Sequence, residues 1–153
     1  MAAVKENPEI HEMVRRRLTD NEVRYTSGRR SVVTAILVAT GPRSAAELAA
    51  EPTCNLPISS LYRTLSVFEE ASILRKHHGS DGVARYELDE WLTGHHHHLV
   101  CVSCGLIEDI EVPDDIDQEV HEIATKIGAA AGFRVIDHVL EVEGVCVNCE
   151  SES

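Results

Sequence analysis

The chain is organised around residues 95–104, which read HHHHLVCVSC. Four consecutive histidines run into a Cys-x-x-Cys pair, so six side chains that can ligate a metal fall within ten residues. Imidazole and thiolate are the groups that Zn²⁺ and related transition metals favour as ligands. Because the histidine run is internal, it is not a terminal affinity tag, and the stretch predicts a metal-binding protein.

A second Cys-x-x-Cys pair, Cys146 and Cys149, lies near the end of the sequence. Together with Cys101 and Cys104 it supplies the four thiolates of a tetrahedral zinc site, which would tie two distant parts of one domain together. Five cysteines, with Cys54 left over, and no recognisable secretory segment favour a reducing compartment. We therefore predict a structural Zn²⁺ on the two pairs, with disulfides or a redox pair as the alternative.

The histidine run predicts more than one metal site. If it is an extended strand, alternate side chains point to opposite faces. His95 and His97 would then face one way, and His96 and His98 the other. One strand could thus supply ligands to two different sites.

The charge of the chain is unevenly distributed. Residues 1–88 carry 12 Lys and Arg against 11 Asp and Glu, whereas residues 89–153 carry 2 against 15. This asymmetry suggests two separate roles for the two parts. With 43% hydrophobic residues and no apolar run near the roughly 20 residues of a membrane span, we expect a soluble cytoplasmic protein with no membrane partner.

Helical periodicity dominates the first fifty residues. The apolar spacing predicts a helix over residues 9–18 and another around residues 32–37, the second preceded by a turn at residues 27–28. Ser44 and Glu47 form a capping box that opens a third, short helix.

A fourth helix is predicted over residues 57–69. The apolar residues predicted to face the core are Ile58, Leu61, Leu65 and Phe68. The residues predicted to face away from the core are Ser59, Ser60, Tyr62, Arg63 and Thr64. The second set suits a groove-reading surface, although an ordinary solvated helix face has the same composition. Two short strands around a Gly-rich turn follow, which completes the order of a winged helix-turn-helix with residues 57–69 as the recognition helix.

The acidic second half predicts a small α/β unit. Residues 97–102, 105–112 and 133–142 are predicted as strands. A helix that begins at Pro113 is predicted between the second and third strands. Its apolar stripe consists of Ile116, Val120, Ile123 and Ile127. The fold class is therefore α+β, and the acidic half is not the DNA-contacting part.

These motifs together resemble the ferric uptake regulator (Fur) family of metal-responsive bacterial repressors. The resemblance covers essentially the whole chain. It rests on LYRTL at residues 61–65, the His run with its Cys pair and Gly105, EIATKIG at residues 122–128, and the segment from His138 to Cys149. It implies a winged-helix domain over residues 1–88, a hinge at 89–94 and a dimerisation and metal-binding domain over 95–153. The active species would be a homodimer on a double-stranded inverted-repeat operator.

The resemblance also implies roles for individual residues. The structural zinc falls on Cys101, Cys104, Cys146 and Cys149. A regulatory Zn²⁺ or Fe²⁺ site falls on Glu87, His96, His98 and Asp109. An additional site falls on His95, His97, Asp117 and His138. The DNA-contacting residues would be Arg24 in the minor groove, Tyr62 on a base and Arg63 on a phosphate. Ser59 and Ser60 are added to these from the composition of the same helix face.

The sequence departs from the family pattern in two places. Many members have a histidine just before the third helix, where this chain has residues 42–44, Pro-Arg-Ser. The segment between Glu87 and His95 is also long, so Asp89 or Glu90 could replace Glu87. The missing nitrogen ligand could come from the neighbouring pair at residues 77–78, His77 or His78, unless these are only polar residues of the wing.

The sensed metal and the function class are separate questions. The unbroken histidine run and the missing early histidine favour a zinc-uptake type of repressor, and an iron-responsive member and a peroxide sensor are the alternatives. A zinc hydrolase would need an open coordination position and a general base, and no His-Glu-x-x-His motif is present. Such an enzyme would also leave the winged helix unexplained, and a metal-storage protein is the other alternative of a different class. We therefore predict a transcriptional regulator and not an enzyme.

Overall fold

The computed structural model describes residues 7–152. Its helices are α1 Pro8–Asp20, α2 Ser27–Val38, α3 Ala45–Ala50, α4 Ile58–Glu70, α5 Glu90–Thr93, α6 Asp114–Ala130 and α7 Val147–Glu150. Its strands are β1 Arg43–Ser44, β2 Leu74–His78, β3 Ala84–Leu88, β4 His97–Cys101, β5 Ile107–Ile110 and β6 Glu141–Gly144. The architecture is a winged-helix domain, α1 to β3, followed by an α/β domain, β4 to α7.

The helix starts follow from capping side chains. The capping box predicted at the start of α3 is confirmed, because the Ser44 hydroxyl accepts the Glu47 amide and the Glu47 carboxylate accepts the Ser44 amide. The turn predicted at residues 27–28 is wrong. Thr26 caps the backbone amide of Arg29, so residues 27–28 instead form the first turn of α2.

The winged-helix domain has its own hydrophobic core. A three-stranded antiparallel sheet in the order β1-β3-β2 forms the wing and packs against the helices. The side chains with essentially no solvent exposure include Val14, Leu18, Val32, Val33, Leu61, Phe68 and Ile73. Leu92 of α5 packs on the same core, so the segment predicted as a hinge contains a short helix that contacts this domain.

One detail of α4 differs from the sequence prediction. Ile58, predicted in the core stripe, is 49% exposed, whereas Thr64, predicted to face away, is buried. Thr64 lies three residues after Leu61 and four before Phe68, which places it on the buried face of the helix. Ile58 lies in the first turn, after the N-cap Pro57, where the helix end extends past the core.

The second domain contains the predicted three-stranded sheet, in the order β5-β4-β6. Strand β4 pairs antiparallel with β5 and parallel with β6. The strand predicted over residues 133–142 is wrong in extent, because pairing begins only at Glu141. Residues 133–140 lie outside the strand that β4 pairs with, and they carry exposed apolar side chains.

Helix α6 carries the predicted apolar stripe, but none of its residues is buried. Ile123 is 55% and Ile127 is 66% exposed. More than half of the surface of Ile123 and of Ile127 therefore has no cover from the described part of this chain. Within residues 7–152, no helix combines the length and apolar character needed to cross a membrane.

Candidate metal centres and nucleic-acid interface

The two Cys pairs meet because β6 runs parallel to β4. In that register Cys101 lies opposite Gly144, so Cys146 follows immediately beside the first pair. Gly105, at φ 76°, lets the chain reverse directly after Cys104. The four sulfurs of the cluster all lie within 4.8 Å of one another, and no disulfide joins them; they belong to Cys101, Cys104, Cys146 and Cys149.

The sulfur geometry fits a tetrahedral ion. With metal–sulfur bonds of about 2.3 Å, ligand sulfurs lie about 3.8 Å apart. The Sγ atoms of Cys104 and Cys146 are 3.9 Å apart. The backbone amides of Cys146 and Cys104 donate to the sulfur of Cys101 and lower its pKa to about 6. These amides favour the thiolate form, which is the form that binds metal.

A second cluster lies at the junction of the two domains. Glu87 comes from β3 of the wing, whereas His96 directly precedes β4, His98 lies on β4 and Asp109 lies on β5. The antiparallel register pairs His98 directly with Asp109. The Nε2 atoms of His96 and His98 lie 2.9 and 3.0 Å from Oε2 of Glu87. The same nitrogens lie 3.7 and 3.5 Å from Oδ1 of Asp109.

Electrostatics bind this junction cluster together. Burial raises the pKa of Glu87, but hydrogen bonds from His77, His96 and His98 outweigh it and hold the pKa well below its usual range. The hydrogen bond to Glu87 raises the pKa of His96 to about 9. Two nitrogens and two carboxylates, with all ligand atoms within 4.8 Å of one another, suit a divalent ion such as Zn²⁺ or Fe²⁺.

His77 is the histidine of the wing that reaches this cluster. Its Nε2 lies 2.5 Å from Oε1 of Glu87, and its ring centroid lies 4.8 Å from that of His98. In the wing register His77 lies opposite Arg85, which makes Glu87 its diagonal neighbour on the same face. His78 points the other way and is exposed.

The two acidic alternatives from the connecting segment lie elsewhere. Asp89 caps α5 and lies 3.8 Å from Arg75, and the Glu90 carboxylate lies 3.2 Å from the same guanidinium. Glu90 also lies 3.5 Å from His95. Neither joins the group formed with His96 and His98 in the structure.

The third cluster lies on the opposite face of β4. Its members converge on one carboxylate of α6: Nε2 of His97 lies 2.6 Å from Oδ1 of Asp117, and those of His138 and His95 lie 3.6 and 3.8 Å away. The hydrogen bond from His97 lowers the pKa of Asp117. Within the described residues, Nδ1 of His97 and both ring nitrogens of His138 are buried with no hydrogen-bond partner.

Those orphaned nitrogens test the fit of a metal at the third cluster. A buried polar atom without a partner is costly, and a bound cation would give such a nitrogen a ligand role. The ring of His121 on α6 lies 5.5 Å from that of His138 and was not identified from the sequence. Its spacing, four residues after Asp117 on one helix face, is the signal that could have identified it.

The predicted nucleic-acid residues lie on one side of the winged-helix domain. Tyr62 of α4 is 54% exposed, and Ser59 and Arg63 are exposed on the same helix. Beside them lies an open groove of about 560 Å³ that contains two further arginines near the start of α2. The polar residues that line it are Glu22, Arg24, Thr26, Arg29, Ser60, Arg63 and Thr64. Arg29 was not among the predicted contacts.

Comparison with known proteins identifies the family. Residues 20–143 match the model described as the Ferric uptake regulator family. A Ferric uptake regulation protein of Neisseria meningitidis serogroup B is 37% identical over 102 residues, and the match spans 67% of this chain and 66% of that protein. The Ferric uptake regulation protein of Bacillus subtilis strain 168 is 30% identical over 144 residues, which are 91% of this chain and 93% of that protein.

Solved structures give the same result. The ferric uptake regulator Fur of Helicobacter pylori, described as having three functional metal binding sites, superposes with a TM-score of 0.71 at 25% identity, over 98% of this chain and 97% of that one. A zinc-bound manganese uptake regulator gives 0.67 at 28% identity, over 91% and 100% of the two chains. The chain therefore belongs to the ferric uptake regulator family of metal-responsive transcriptional regulators, and not to a family of enzymes.

Proposed function

We propose that this chain is a zinc-responsive repressor of metal-uptake genes, which acts in the cytoplasm as a homodimer on an inverted-repeat operator. The observation that carries the proposal is the junction cluster. One ligand, Glu87, belongs to the wing, and its other ligands, His96, His98 and Asp109, belong to the second domain. A site that needs both domains is placed to report metal to the DNA-binding surface.

The Cys cluster has a different role in this proposal. It lies wholly within the second domain, where it joins the end of β4 to the start of α7. A structural zinc contributes folding free energy and stays bound, because its four ligands leave no open position. We assign the resident Zn²⁺ of the purified protein to Cys101, Cys104, Cys146 and Cys149.

The junction cluster works through the residues that hold the metal. The ion supplies a positive charge that both domains share. His98 lies on a strand fixed by its two neighbours and His96 directly precedes that strand, so they set the position to which Glu87 must come. Glu87 fixes the angle of the wing, and with it the spacing of the two recognition helices in a dimer. A bound metal would favour this arrangement and shift the population towards it.

We favour zinc over iron because the histidine run is unbroken and the histidine that many family members have just before the third helix is missing. Besides His96 and His98, His77 lies within hydrogen-bond distance of Glu87, and we propose that it completes the site in place of His78. Imidazole suits zinc, copper, iron and nickel, whereas carboxylates suit harder ions. An iron-responsive regulator is the second candidate, because Glu87 and Asp109 give the site two oxygen ligands and the Neisseria and Bacillus relatives are ferric uptake regulation proteins.

The third cluster, with His95, His97, Asp117 and His138, is proposed as an additional metal site. It links β4 to α6 and to the segment before β6, all within the second domain. The Helicobacter pylori protein has three functional metal binding sites, which is the number of clusters proposed here. Metal here would stiffen the second domain with less effect on the wing angle.

The homodimer is supported by the exposed apolar surface of the second domain. Soluble monomers rarely expose large contiguous apolar patches. The exposed residues include Ile123, Ile127, Phe133, Ile136 and Val139, of which Phe133 is 73% and Ile136 is 82% exposed. A second copy of the chain would bury this surface and bring two winged helices to one operator.

The DNA surface is proposed on the recognition helix and the arginine groove. Tyr62 would contact a base, and Arg63 a phosphate. Arg24 would reach the minor groove, and Ser59 and Ser60 would make polar contacts beside Tyr62. The excess of acidic groups after residue 88 restricts these contacts to the winged-helix domain, since like charges repel the phosphate backbone.

The test is a DNA-binding titration against free Zn²⁺, Fe²⁺ and Mn²⁺, with the dimer followed by sedimentation. His98→Ala should abolish metal-dependent operator binding and leave both the dimer and the Cys-bound zinc intact. His97→Ala should weaken the metal response without eliminating it, because its cluster lies within one domain. His78→Ala is the matched control and should leave the metal midpoint unchanged.

Two results would refute parts of this proposal. Normal metal response in His98→Ala with complete loss in His97→Ala would invert the assignment of the two faces. The free metal concentration at half-maximal DNA binding is compared with the free concentration of that metal in the cell. If this ratio is far lower for Fe²⁺ than for Zn²⁺, the iron-responsive alternative is correct.

A further inference from the structure

A second connection between the two domains lies beside the junction cluster. The segment from Thr40 to Arg43, between α2 and α3, runs against the outer edge of β5. Strand β5 is at the edge of its sheet, so its outward amides have no partner strand. The backbone amide of Asp109 donates instead to the carbonyl of Thr40, at 2.9 Å. A backbone group of the winged-helix domain thus occupies the open edge of the other domain.

Gly41 allows this close approach. A Cβ at this position would lie 2.5 Å from the carbonyl oxygen of Ile107 and 2.8 Å from Cα of Glu108. Both neighbours are backbone atoms, which cannot rotate away. Any side chain at position 41 must therefore push the segment off β5.

Arg43 adds a charged contact next to Gly41. Its Nη1 donates to the carbonyl of Ile107 at 3.2 Å, and its Nη2 donates to Oε1 of Glu108 at 3.1 Å. The guanidinium is held in place by its own segment, because it also donates to the Thr40 hydroxyl and the Pro42 carbonyl, at 2.9 and 3.1 Å. The Arg43 side chain is only 20% exposed, so solvent screens this pair incompletely.

A further contact joins the turn of the wing to the second domain. The hydroxyl of Ser80, in the turn of the wing, donates to the carbonyl of Val102 at 3.1 Å, next to the Cys cluster. The wing turn and the Thr40–Arg43 segment therefore contact the second domain at two separate places. None of the atoms in these contacts belongs to a metal-ligand side chain.

We propose that Gly41 and Arg43 form a docking contact that holds the two domains together without metal and positions Asp109 for the regulatory ion. The proposal rests on the regulatory role of the junction cluster given above. Two contacts fix the position of Asp109. Its backbone amide donates to the carbonyl of Thr40, and the side chain of the preceding residue, Glu108, accepts a hydrogen bond from Arg43. Gly41 and Arg43 are positioning residues, since they touch the strand that carries the ligand and not the ion.

The docking contact has a consequence for metal affinity. If the metal binds only the docked arrangement, its apparent affinity is proportional to the docked fraction. Arg43 and Gly41 raise that fraction before any metal binds. Their loss should weaken regulatory zinc binding by about fivefold, the lower end of typical coupling between sites, without changing the Cys-bound zinc.

The experiment measures hydrogen exchange of the Asp109 amide by NMR. The protein is used with its Cys-bound zinc in place and the regulatory metal removed by a mild chelator. In the wild type the Asp109 amide should be protected. Arg43→Ala and Glu108→Ala should each speed its exchange, and Gly41→Ala should do so most. The amide of Cys101, which donates to Leu106 within the second domain at 2.8 Å, should be unaffected.

Matched variants separate docking from loss of charge or of folding. Lys76→Ala removes one positive charge and an ion pair within the winged-helix domain, with Glu69 at 2.8 Å, and should leave the Asp109 amide protected. The exchanged pair Arg43→Glu with Glu108→Arg should restore protection that either single change loses. Fast exchange of Asp109 in the wild type, or equal protection in Gly41→Ala, would overturn the docking contact.

A failure of the proposed function would look different. In that case wild-type protein would show a protected Asp109 amide but no metal-dependent operator binding. Failure of the docking contact alone would leave metal-dependent binding intact with an unprotected Asp109.

Discussion

The two domains of this chain hold their apolar residues in opposite ways. The hydrophobic core cluster is drawn entirely from residues 10–92, and Phe68, Leu61 and Leu18 within it have essentially no exposure. The longest helix of the second domain, α6, has 17 residues and none of them is buried. The winged-helix domain therefore covers its own core, whereas the second domain leaves its largest apolar stripe uncovered.

This difference indicates that the two domains draw stability from different sources. Burial of apolar surface, at about 25 cal/mol per Å², is the main favourable term where a core exists. The second domain instead has a three-stranded sheet, the Cys cluster and the third cluster, most of the junction cluster, and a surface that a second copy would cover. We expect its folding to depend on ligation and association, and that of the winged-helix domain on packing.

The largest effect should come from the Cys cluster. Cys101→Ser should unfold the second domain and abolish the dimer, because a structural zinc contributes about 10–16 kcal/mol in small zinc domains. The winged-helix domain should keep its helices. Zinc content, sedimentation and circular dichroism measure the three consequences. Cys54→Ser is the control, since Cys54 lies outside the cluster, and it should change none of them. A zinc-bound, dimeric Cys101→Ser protein would contradict this account.

The next effect tests the core of the winged-helix domain. Phe68→Ala should lower the free energy of unfolding of that domain by about 3–5 kcal/mol, since a fully buried aromatic ring leaves a cavity. Chemical denaturation followed by helix content measures the change. Val83→Ala, at a position 42% exposed in the same domain, should change it by less than about 0.5 kcal/mol. If Phe68→Ala lost as much zinc as Cys101→Ser, the two domains would not fold independently.

A third effect concerns association rather than folding. Ile127→Asp places a charge on the uncovered stripe of α6 and should weaken the dimer by at least about thirtyfold, because central interface residues carry 2 kcal/mol or more. Sedimentation over a range of protein concentrations gives the dissociation constant. Ile58→Asp, at a position similarly exposed on α4, should leave the dimer unchanged. If Ile127→Asp remains fully dimeric, the stripe is not the interface.

Local sequence signals predicted most of the fold correctly. The capping box of α3 depends only on residues three apart, and the wing depends on two short strands around a turn. The signal at residues 27–28 misled because a Ser-Gly pair is typical of turns, and the cap at Thr26 that overrides it is a single hydroxyl contact. Strand prediction over residues 133–142 failed because apolar alternation does not say which strand, or which copy of the chain, supplies a partner.

The candidate site shows the same limit. Alternation along one strand was enough to divide the histidine run into two sets, and the structure brings each set together with the acids named for it. The approach of His77 depends on the register of β2 against β3, which the turn length fixes and composition does not. Contacts across the domain junction, such as Arg43 with Glu108, leave no periodic signal in either segment.

The smallest effect concerns charge, and it tests which domain meets DNA. Arg63 is exposed on α4, the proposed recognition helix, and lines a groove together with Arg24 and Arg29. Neutralising one phosphate contact should reduce the slope of log affinity against log salt by about one, with a similar loss for all sequences. Arg63→Ala should therefore weaken operator and random DNA about equally, whereas Tyr62→Ala should lose preference between them.

The matched control for Arg63 lies in the other domain. Lys126, on α6, is the only lysine after residue 88, so Lys126→Ala removes the same charge from the acidic half. Its salt slope should equal that of the wild type, because repulsion from the surrounding carboxylates keeps phosphates away. Filter binding or anisotropy at several salt concentrations measures both slopes. A reduced slope in Lys126→Ala with an unchanged one in Arg63→Ala would move the DNA surface to the second domain.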